Sequence, residues 1–176
     1  QTHELLKGEN VIIYDAAICV EQLLIRVDIL VKRPDHIQLI EVKAKSYRKS
    51  EDADFLNTKG KVISEWKPYL MDIAFQKYVT QKAFPSYSVS SYLMLTDKDA
   101  VCATDGLNQK FKLVKDASGR VRVISNLSAE DIATPMLTKV NVDHILNDWL
   151  CGEPLEELSF RTFGQTVDLF LKAYTN

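Results

Sequence analysis

The first part of the chain consists of short apolar runs separated by polar turns, a pattern typical of β-strands. Residues 11–20 and 23–31 form the first two runs, and Glu21-Gln22 between them is short enough for a hairpin turn. Arg33-Pro-Asp-His36 makes the next turn and leads into a third run at residues 37–44. Because consecutive strands with short connections usually pair, the pattern predicts an antiparallel three-strand meander.

The spacing of apolar residues changes after the third run and predicts helices mixed with further strands. In residues 69–84, Leu70, Ile73 and Ala74 recur on one side of a helix that Pro85 ends. The other predicted elements are a strand at 88–96, short strands at 101–103, 110–115 and 120–124, and helices at 140–150 and 160–173. We expect residues 46–61, which are polar and charged, to form a mobile excursion or a short exposed helix. Trp66, Trp149 and the C-terminal phenylalanines are expected in the core.

These elements predict one α/β domain spanning residues 1–176, with a central mixed sheet flanked by helices. A length of 176 residues with 46% apolar residues is ordinary for such a domain. No apolar run reaches the roughly 18–20 residues needed to span a bilayer, and a signal peptide is absent, so we expect a cytoplasmic protein without membrane contact. Because the chain starts at Gln1, we expect it to be a fragment of a longer protein with further domains.

Cysteine, histidine and net charge restrict the possible cofactors and partners. The three cysteines and three histidines are scattered, which disfavours a disulfide scaffold and a zinc site. The net charge of −2 lacks the strongly basic character of a dedicated nucleic-acid binder. Residues 141–176 are acidic, however, so the rest of the chain is slightly positive and permits a local basic groove.

The chemistry of the chain is concentrated in the second and third predicted strands. Asp28 lies inside the second apolar run, and Glu41-Val-Lys43 lies inside the third. Because side chains alternate along a strand, Glu41 and Lys43 project to the same face. Asp28 on the neighbouring strand can share a divalent cation with Glu41, and the backbone carbonyl of Val42 is a possible third ligand. Such an oxygen set suits Mg²⁺ (or Mn²⁺), and Lys43 could orient a water or balance developing charge.

The tripeptide itself carries little information. About two acid-x-Lys matches are expected by chance in a chain of this composition, and two occur, at Glu41-x-Lys43 and Glu65-x-Lys67. Only the first lies in a run of β-forming residues. The second runs into Pro68, which predicts the end of a helix or a loop.

The predicted helix after the third strand adds two polar residues. Asp72 and Gln76 are four residues apart and therefore lie on one helical face, where Gln76 could brace the lysine, the attacking water or a phosphate. Asp15, in the middle of the first strand, is a weaker candidate for a further acidic ligand.

The order strand–Asp28, strand–Glu41-x-Lys43, helix–Gln76 resembles the PD-(D/E)XK nuclease superfamily, and most of all its RecB-type exonuclease branch. The segments around these residues are similar to a bacterial domain family of unknown function within that branch. The resemblance covers about residues 10–96. It implies a restriction-endonuclease-like fold, DNA as partner, Asp28 and Glu41 as metal ligands, Lys43 as the catalytic lysine and Gln76 as the helix residue. Thr80 stands where the RecB-type motif has tyrosine, and the iron–sulfur cysteines of many relatives are absent.

Several structural interpretations compete with this hypothesis. Asp28 could pair with a basic neighbour such as Arg26, Glu41 and Lys43 could form a salt bridge on a solvent-facing sheet, and Asp72 and Gln76 could be ordinary polar helix positions. The lysines between Lys45 and Lys67 could be a solvated face. For function, a catalytically inactive nuclease-like fold that binds nucleic acid or protein is the alternative to a Mg²⁺-dependent nuclease, and an unrelated α/β domain is the third possibility.

Overall fold

A computed structural model of the chain describes residues 2–48 and 55–175, including all their side chains except those of Glu157 and Thr175. Its helices and strands follow in chain order: α1 (Thr2–Leu5), β1 (Val11–Val20), β2 (Leu23–Lys32), β3 (His36–Tyr47), α2 (Lys67–Ala83), β4 (Ser88–Asp97), β5 (Phe111–Lys115), β6 (Val121–Ser125), β7 (Leu137–Asn141), α3 (Asp143–Leu150) and α4 (Phe163–Thr175). None of the helices in these two ranges has the length and apolar character needed to cross a membrane.

Five strands form one mixed sheet in the order β1-β2-β3-β4-β7, and β5 and β6 form a separate two-stranded ribbon. The pairs β1–β2 and β2–β3 are antiparallel, which confirms the predicted meander. Strand β4 lies parallel to β3, and β7 lies antiparallel to β4. A parallel neighbour needs a long crossover connection, and α2 provides it. The predicted α/β class with a mixed sheet and flanking helices is therefore confirmed.

The hairpin β1–β2 has the two-residue turn expected from the sequence. Val20 lies opposite Leu23, and Glu21 in the turn has a φ of 54°. Positive φ is the backbone conformation that two-residue hairpin turns with matching twist require.

The main core lies between the sheet and α2. Leu70 and Ile73 of α2 and Leu39 and Leu93 of the sheet are all fully buried. Burying such side chains contributes roughly 1.5–3 kcal/mol each, so α2 is held firmly against the strands. Trp66 at the start of α2 and Trp149 of α3 belong to the same core, as expected.

The buried face of the β1–β2 hairpin changes midway along its length. Ile13 and Ala16 are both buried although they are three residues apart, and Val27 and Leu30 opposite them repeat this spacing. Strict alternation would put residues two apart on one face. Asp15 has a φ of 54° at this point, and the constant register places Asp28 opposite it. The buried face of the hairpin therefore changes at the position of the candidate acid Asp28.

Two predicted elements and one predicted set of core residues differ from the structure. Residues 101–103 form no strand; Val101 is exposed and a Thr-Asp-Gly turn follows. Residues 137–141 pair with β4, so the helix predicted from 140 begins only at Asp143, whose backbone N–H donates to the Asn141 side chain. Phe160 and Phe170 are exposed, and only Phe163 of the C-terminal phenylalanines is in the core.

The polar segment 46–61 also differs from the expectation at both of its ends. Tyr47 ends β3, and its ring lies 5.3 Å from that of Phe55, which is fully buried and packs 4.9 Å from Trp66. The hydrophobic effect therefore draws this end of the segment inward. The middle of the predicted excursion, residues 49–54, lies outside the described residues.

Candidate active site

The third strand presents the candidate residues to α2. Leu39 is fully buried on the face that α2 covers, and Glu41 and Lys43 follow at intervals of two. Their side chains are 8% and 22% exposed. Val42 lies on the opposite face and is exposed. The Glu41–Lys43 pair thus faces a helix rather than solvent, unlike the solvent-facing salt bridge considered as an alternative.

Two residues of α2 complete a closed ring of hydrogen bonds with this pair. Lys43 Nζ donates to Glu41 Oε1 at 2.6 Å and to Asp72 Oδ2 at 2.8 Å. Gln76 Nε2 donates to Glu41 Oε2 at 2.8 Å and to Asp72 Oδ1 at 3.3 Å. Each carboxylate therefore accepts one bond from the lysine and one from the glutamine. We call Glu41, Lys43, Asp72 and Gln76 the polar ring.

The polar ring depends on helical spacing. Asp72 and Gln76 are one turn apart, so both face β3 while Ile73 and Ala74 enter the core. Thr80, one further turn along, is fully buried and its Oγ1 donates to the Gln76 carbonyl at 2.7 Å. Tyr78 packs 5.7 Å from the Phe163 ring. The position of the RecB-type tyrosine is thus occupied by a residue that bonds the helix backbone.

Asp28 reaches the third strand beside Glu41. The β2–β3 pairing ends at Ile29 opposite Ile40, so Asp28 and Glu41 would form the next pair. At this point Asp28 Oδ2 accepts a hydrogen bond of 2.8 Å from the backbone N–H of Val42. The carboxylate therefore lies against the residue that follows Glu41, and it does so without pairing with Arg26.

Burial and charge set the protonation of the polar ring. Burial and the nearby Asp72 carboxylate raise the pKa of Glu41, although the hydrogen bonds from Gln76 and Lys43 oppose this shift. Burial acts to lower the pKa of Lys43, but the hydrogen bonds to Asp72 and Glu41 outweigh it and raise the pKa above its usual value. These hydrogen bonds favour the protonated form of Lys43.

The available donors fit a hard cation with few protein ligands. The described part of the chain contains no group of three or more His, Cys, Asp or Glu side chains arranged to hold a metal ion. Mg²⁺, however, commonly uses one or two carboxylates and completes its coordination with waters and phosphate oxygens. Glu41, Asp28 and the Val42 carbonyl are oxygen donors of this kind. Gln76 Oε1 is also buried without a hydrogen-bond partner in the described residues, and a water could satisfy it.

Two predicted features lie away from the polar ring. Asp15 is exposed and forms an ion pair of 3.0 Å with Arg26, so the structure does not bring it to Glu41. The second tripeptide lies at the start of α2: Lys67 and Pro68 open the helix instead of ending one, because proline is tolerated in the first helical turn. Glu65 forms an ion pair of 3.3 Å with Lys45.

Asp72 is the site residue to which sequence reasoning assigned no role. Its helical spacing from Gln76 was visible, and its side chain is 44% exposed at the outer edge of the polar ring. Pairing with Lys43 depends on how α2 crosses β3, which the sequence pattern does not specify.

Comparison of the chain with protein-family models, with curated proteins and with solved structures finds no match.

Proposed function

We propose that the chain is a Mg²⁺- or Mn²⁺-dependent nuclease that hydrolyses DNA phosphodiester bonds. The observation that carries the proposal is the polar ring, with Asp28 beside it on the neighbouring strand. Three acidic groups, a protonated lysine and a glutamine converge where α2 covers β3. Such a cluster is expensive to bury and is therefore typical of a functional site.

The proposal includes a restriction-endonuclease-like fold and membership of the PD-(D/E)XK superfamily. Support comes from an antiparallel meander followed by a helix and a strand parallel to β3, with the residues at the expected elements. Asp28 lies next to the last β2–β3 pair, Glu41 and Lys43 lie on β3, and Gln76 lies on α2.

Each residue of the site has a role that follows from its contacts. Asp28 and Glu41 would hold the divalent cation, with the Val42 carbonyl as a further donor. A bound Mg²⁺ would supply charge neutralisation at a phosphate oxygen and acidify a coordinated water. Lys43 keeps its proton and places positive charge where negative charge develops on the phosphate. Asp72 positions Lys43, and Gln76 orients Glu41 by donating to its second oxygen.

The test is cleavage of linear and circular DNA, single- and double-stranded, with Mg²⁺ or Mn²⁺. We expect wild-type protein to cleave and Asp28→Ala to lose at least 100-fold in rate, because the variant removes a proposed metal ligand. Asp35→Ala in the exposed β2–β3 turn is the matched control and should cleave like wild type. Equal cleavage by wild type and Asp28→Ala would contradict the proposal.

The second candidate function is binding of nucleic acid or protein by a nuclease-like fold that has no catalytic activity. It is favoured by Thr80 in place of the RecB-type tyrosine and by the saturation of both ring carboxylates with Lys43 and Gln76. Calorimetry separates the two: absence of Mg²⁺ and Mn²⁺ binding at millimolar concentration, together with absence of cleavage, would establish the inactive fold.

A further inference from the structure

We propose that the β5–β6 ribbon is a DNA-contact surface that holds duplex DNA beside the polar ring. This inference rests on the proposed function and adds a binding element outside the site. It is carried by the charge of the ribbon, its isolation from the core and its point of attachment to the sheet.

The ribbon concentrates positive charge in a chain whose net charge is −2. Residues 110–125 contain five basic residues (Lys110, Lys112, Lys115, Arg120 and Arg122) and one acidic residue, Asp116. Lys110 and Arg122 have acidic partners, Asp131 and Asp116. Lys112, Lys115 and Arg120 are exposed and have no acidic partner among the residues described here. In the β5–β6 register Lys112 lies on one face of the ribbon and Lys115 on the other, so both faces carry positive charge. Duplex DNA carries one negative charge per ~1.7 Å of axis and complements a ribbon of this charge.

The ribbon does not gain its stability from the core. Every residue of β5 and β6 is exposed, including Leu113 at 77% and Val123 at 63%. A two-stranded ribbon alone is marginally stable in water, and clustered exposed apolar side chains mark contact surfaces. A ribbon of this width fits the major groove of B-DNA, where apolar side chains can contact thymine methyl groups while basic residues reach the phosphates.

The base of the ribbon is firmly anchored. Asp131 is buried and accepts hydrogen bonds from Lys110 Nζ at 2.6 and 2.7 Å, from Thr104 Oγ1 at 2.8 Å and from the Ser128 N–H at 2.7 Å. These hydrogen bonds tie the chain before the ribbon to the chain after it. The two strands of the basic ribbon are therefore held together at their base.

The chain leaves the sheet for the ribbon, and returns from it, at the end of the sheet where β3 terminates. Lys43 lies four residues before that end of β3. Strand β4 ends at Asp97 opposite Tyr47, and the chain returns to the sheet as β7, with Leu137 opposite Thr96. Arg48 Nε donates to Asp99 Oδ1 at 2.9 Å and thereby links the segment after β3 to the segment after β4. Tyr47 is four residues beyond Lys43, or about 13 Å along the strand. A duplex lying on the ribbon would thus lie near the polar ring.

The test is binding of a 30-base-pair duplex in EDTA, measured by fluorescence anisotropy over a range of KCl concentrations. Lys112→Gln, Lys115→Gln and Arg120→Gln are combined in one variant. Each lost phosphate contact flattens the slope of log affinity against log salt by about 0.9, so we expect a decrease of about 2.7 and roughly 500-fold weaker binding at 0.1 M salt. The control combines Lys7→Gln, Lys59→Gln and Lys61→Gln, which remove the same charge from other elements, and should change affinity less than about threefold.

Cleavage of the same duplex with Mg²⁺ separates failure of this inference from failure of the proposed function. We expect the ribbon variant to show a raised KM and a retained kcat. Cleavage and a salt slope equal to wild type would overturn the ribbon inference and leave the nuclease proposal standing. Wild-type protein that neither binds nor cleaves the duplex would overturn both.

Discussion

The two acid-x-Lys tripeptides of this chain share the Glu-x-Lys pattern and have opposite surroundings. Glu41-Val-Lys43 lies inside a central strand, and its charged side chains face α2 in the polar ring. Glu65-Trp-Lys67 lies where α2 begins, and there the intervening residue, Trp66, is the buried one. In the first tripeptide the polar residues point inward and the apolar residue outward; in the second the arrangement is reversed.

This difference shows what converts a chance-level pattern into a candidate site. A strand places residues two apart on one face, so Glu41 and Lys43 converge and can be enclosed by α2. At the helix start, Glu65 pairs with Lys45 instead of Lys67. The chemistry therefore depends on backbone period and on a covering element, and not on the tripeptide.

Replacing the lysine of each tripeptide in a separate variant should give the largest difference in cleavage rate. Lys43→Ala is expected to lower the rate of DNA cleavage on the order of 10³-fold, because a fixed positive charge at the reacting phosphate is lost. Lys67→Ala should cleave within about twofold of wild type, since no hydrogen bond or ion pair in the described part of the chain joins Lys67 to the polar ring. Circular dichroism and thermal melting must show both variants folded. Similar cleavage rates for the two variants would show that Lys43 is no more important for cleavage than Lys67.

Replacing Gln76, which donates a hydrogen bond to Glu41, should have a smaller effect, measured on metal affinity. Gln76→Ala removes the donor to the second oxygen of Glu41, and such orienting residues typically contribute 10–100-fold in metal affinity or activity. Gln81→Ala, at an exposed position of the same helix, serves as control. Mn²⁺ titration by calorimetry measures both. If Gln76→Ala binds Mn²⁺ as tightly as wild type, Gln76 does not orient a metal ligand.

The pH profile of cleavage should report the buried acid. Because burial raises the pKa of Glu41 above 4.5, kcat/KM should fall about tenfold per pH unit below that raised pKa as the carboxylate takes up a proton. The ionised Glu41 costs folding free energy at neutral pH, and this cost is relieved as the pH falls through the same pKa, so the group itself does not cause acid unfolding. Lys43, with a pKa above 10.5, should add no basic limb below that pH. A profile flat down to pH 4 would show that Glu41 need not be ionised.

The smallest effect is expected at the second tripeptide's acid. Glu65 is largely exposed and pairs with Lys45, and exposed ion pairs contribute about 0–1 kcal/mol. Urea unfolding of Glu65→Ala should therefore give a free energy of unfolding within about 1 kcal/mol of wild type. A larger loss would mean that Lys45 depends on Glu65 to hold its position 4.3 Å from the Trp66 ring.

Local patterns were sufficient to predict the meander and α2. Alternation and turn residues located β1, β2 and β3, and the spacing of Leu70, Ile73 and Ala74 located the helix. These signals arise from backbone periodicity, which a sequence displays directly. The same periods put Glu41 and Lys43 on one face of β3 and Asp72 and Gln76 on one face of α2.

The remaining features depend on long-range contacts. Strand β7 was not predicted, and its last two residues were assigned to the following helix, because these five residues pair with β4 only in the folded chain. The ion pair between Asp72 and Lys43 requires the crossing of α2 over β3, and the burial of Phe55 requires the ring of Trp66 beside it. The local spacing of residues in the sequence does not encode these contacts.

The polar ring also has a consequence for how the protein is assembled. Its two carboxylates already have an internal counter-ion in Lys43 and a neutral bridge in Gln76. Folding therefore does not have to wait for a divalent cation, in contrast to small domains whose core forms around a metal. A metal could then join and leave a finished scaffold, and its concentration in the surroundings would govern activity without governing how much folded protein exists.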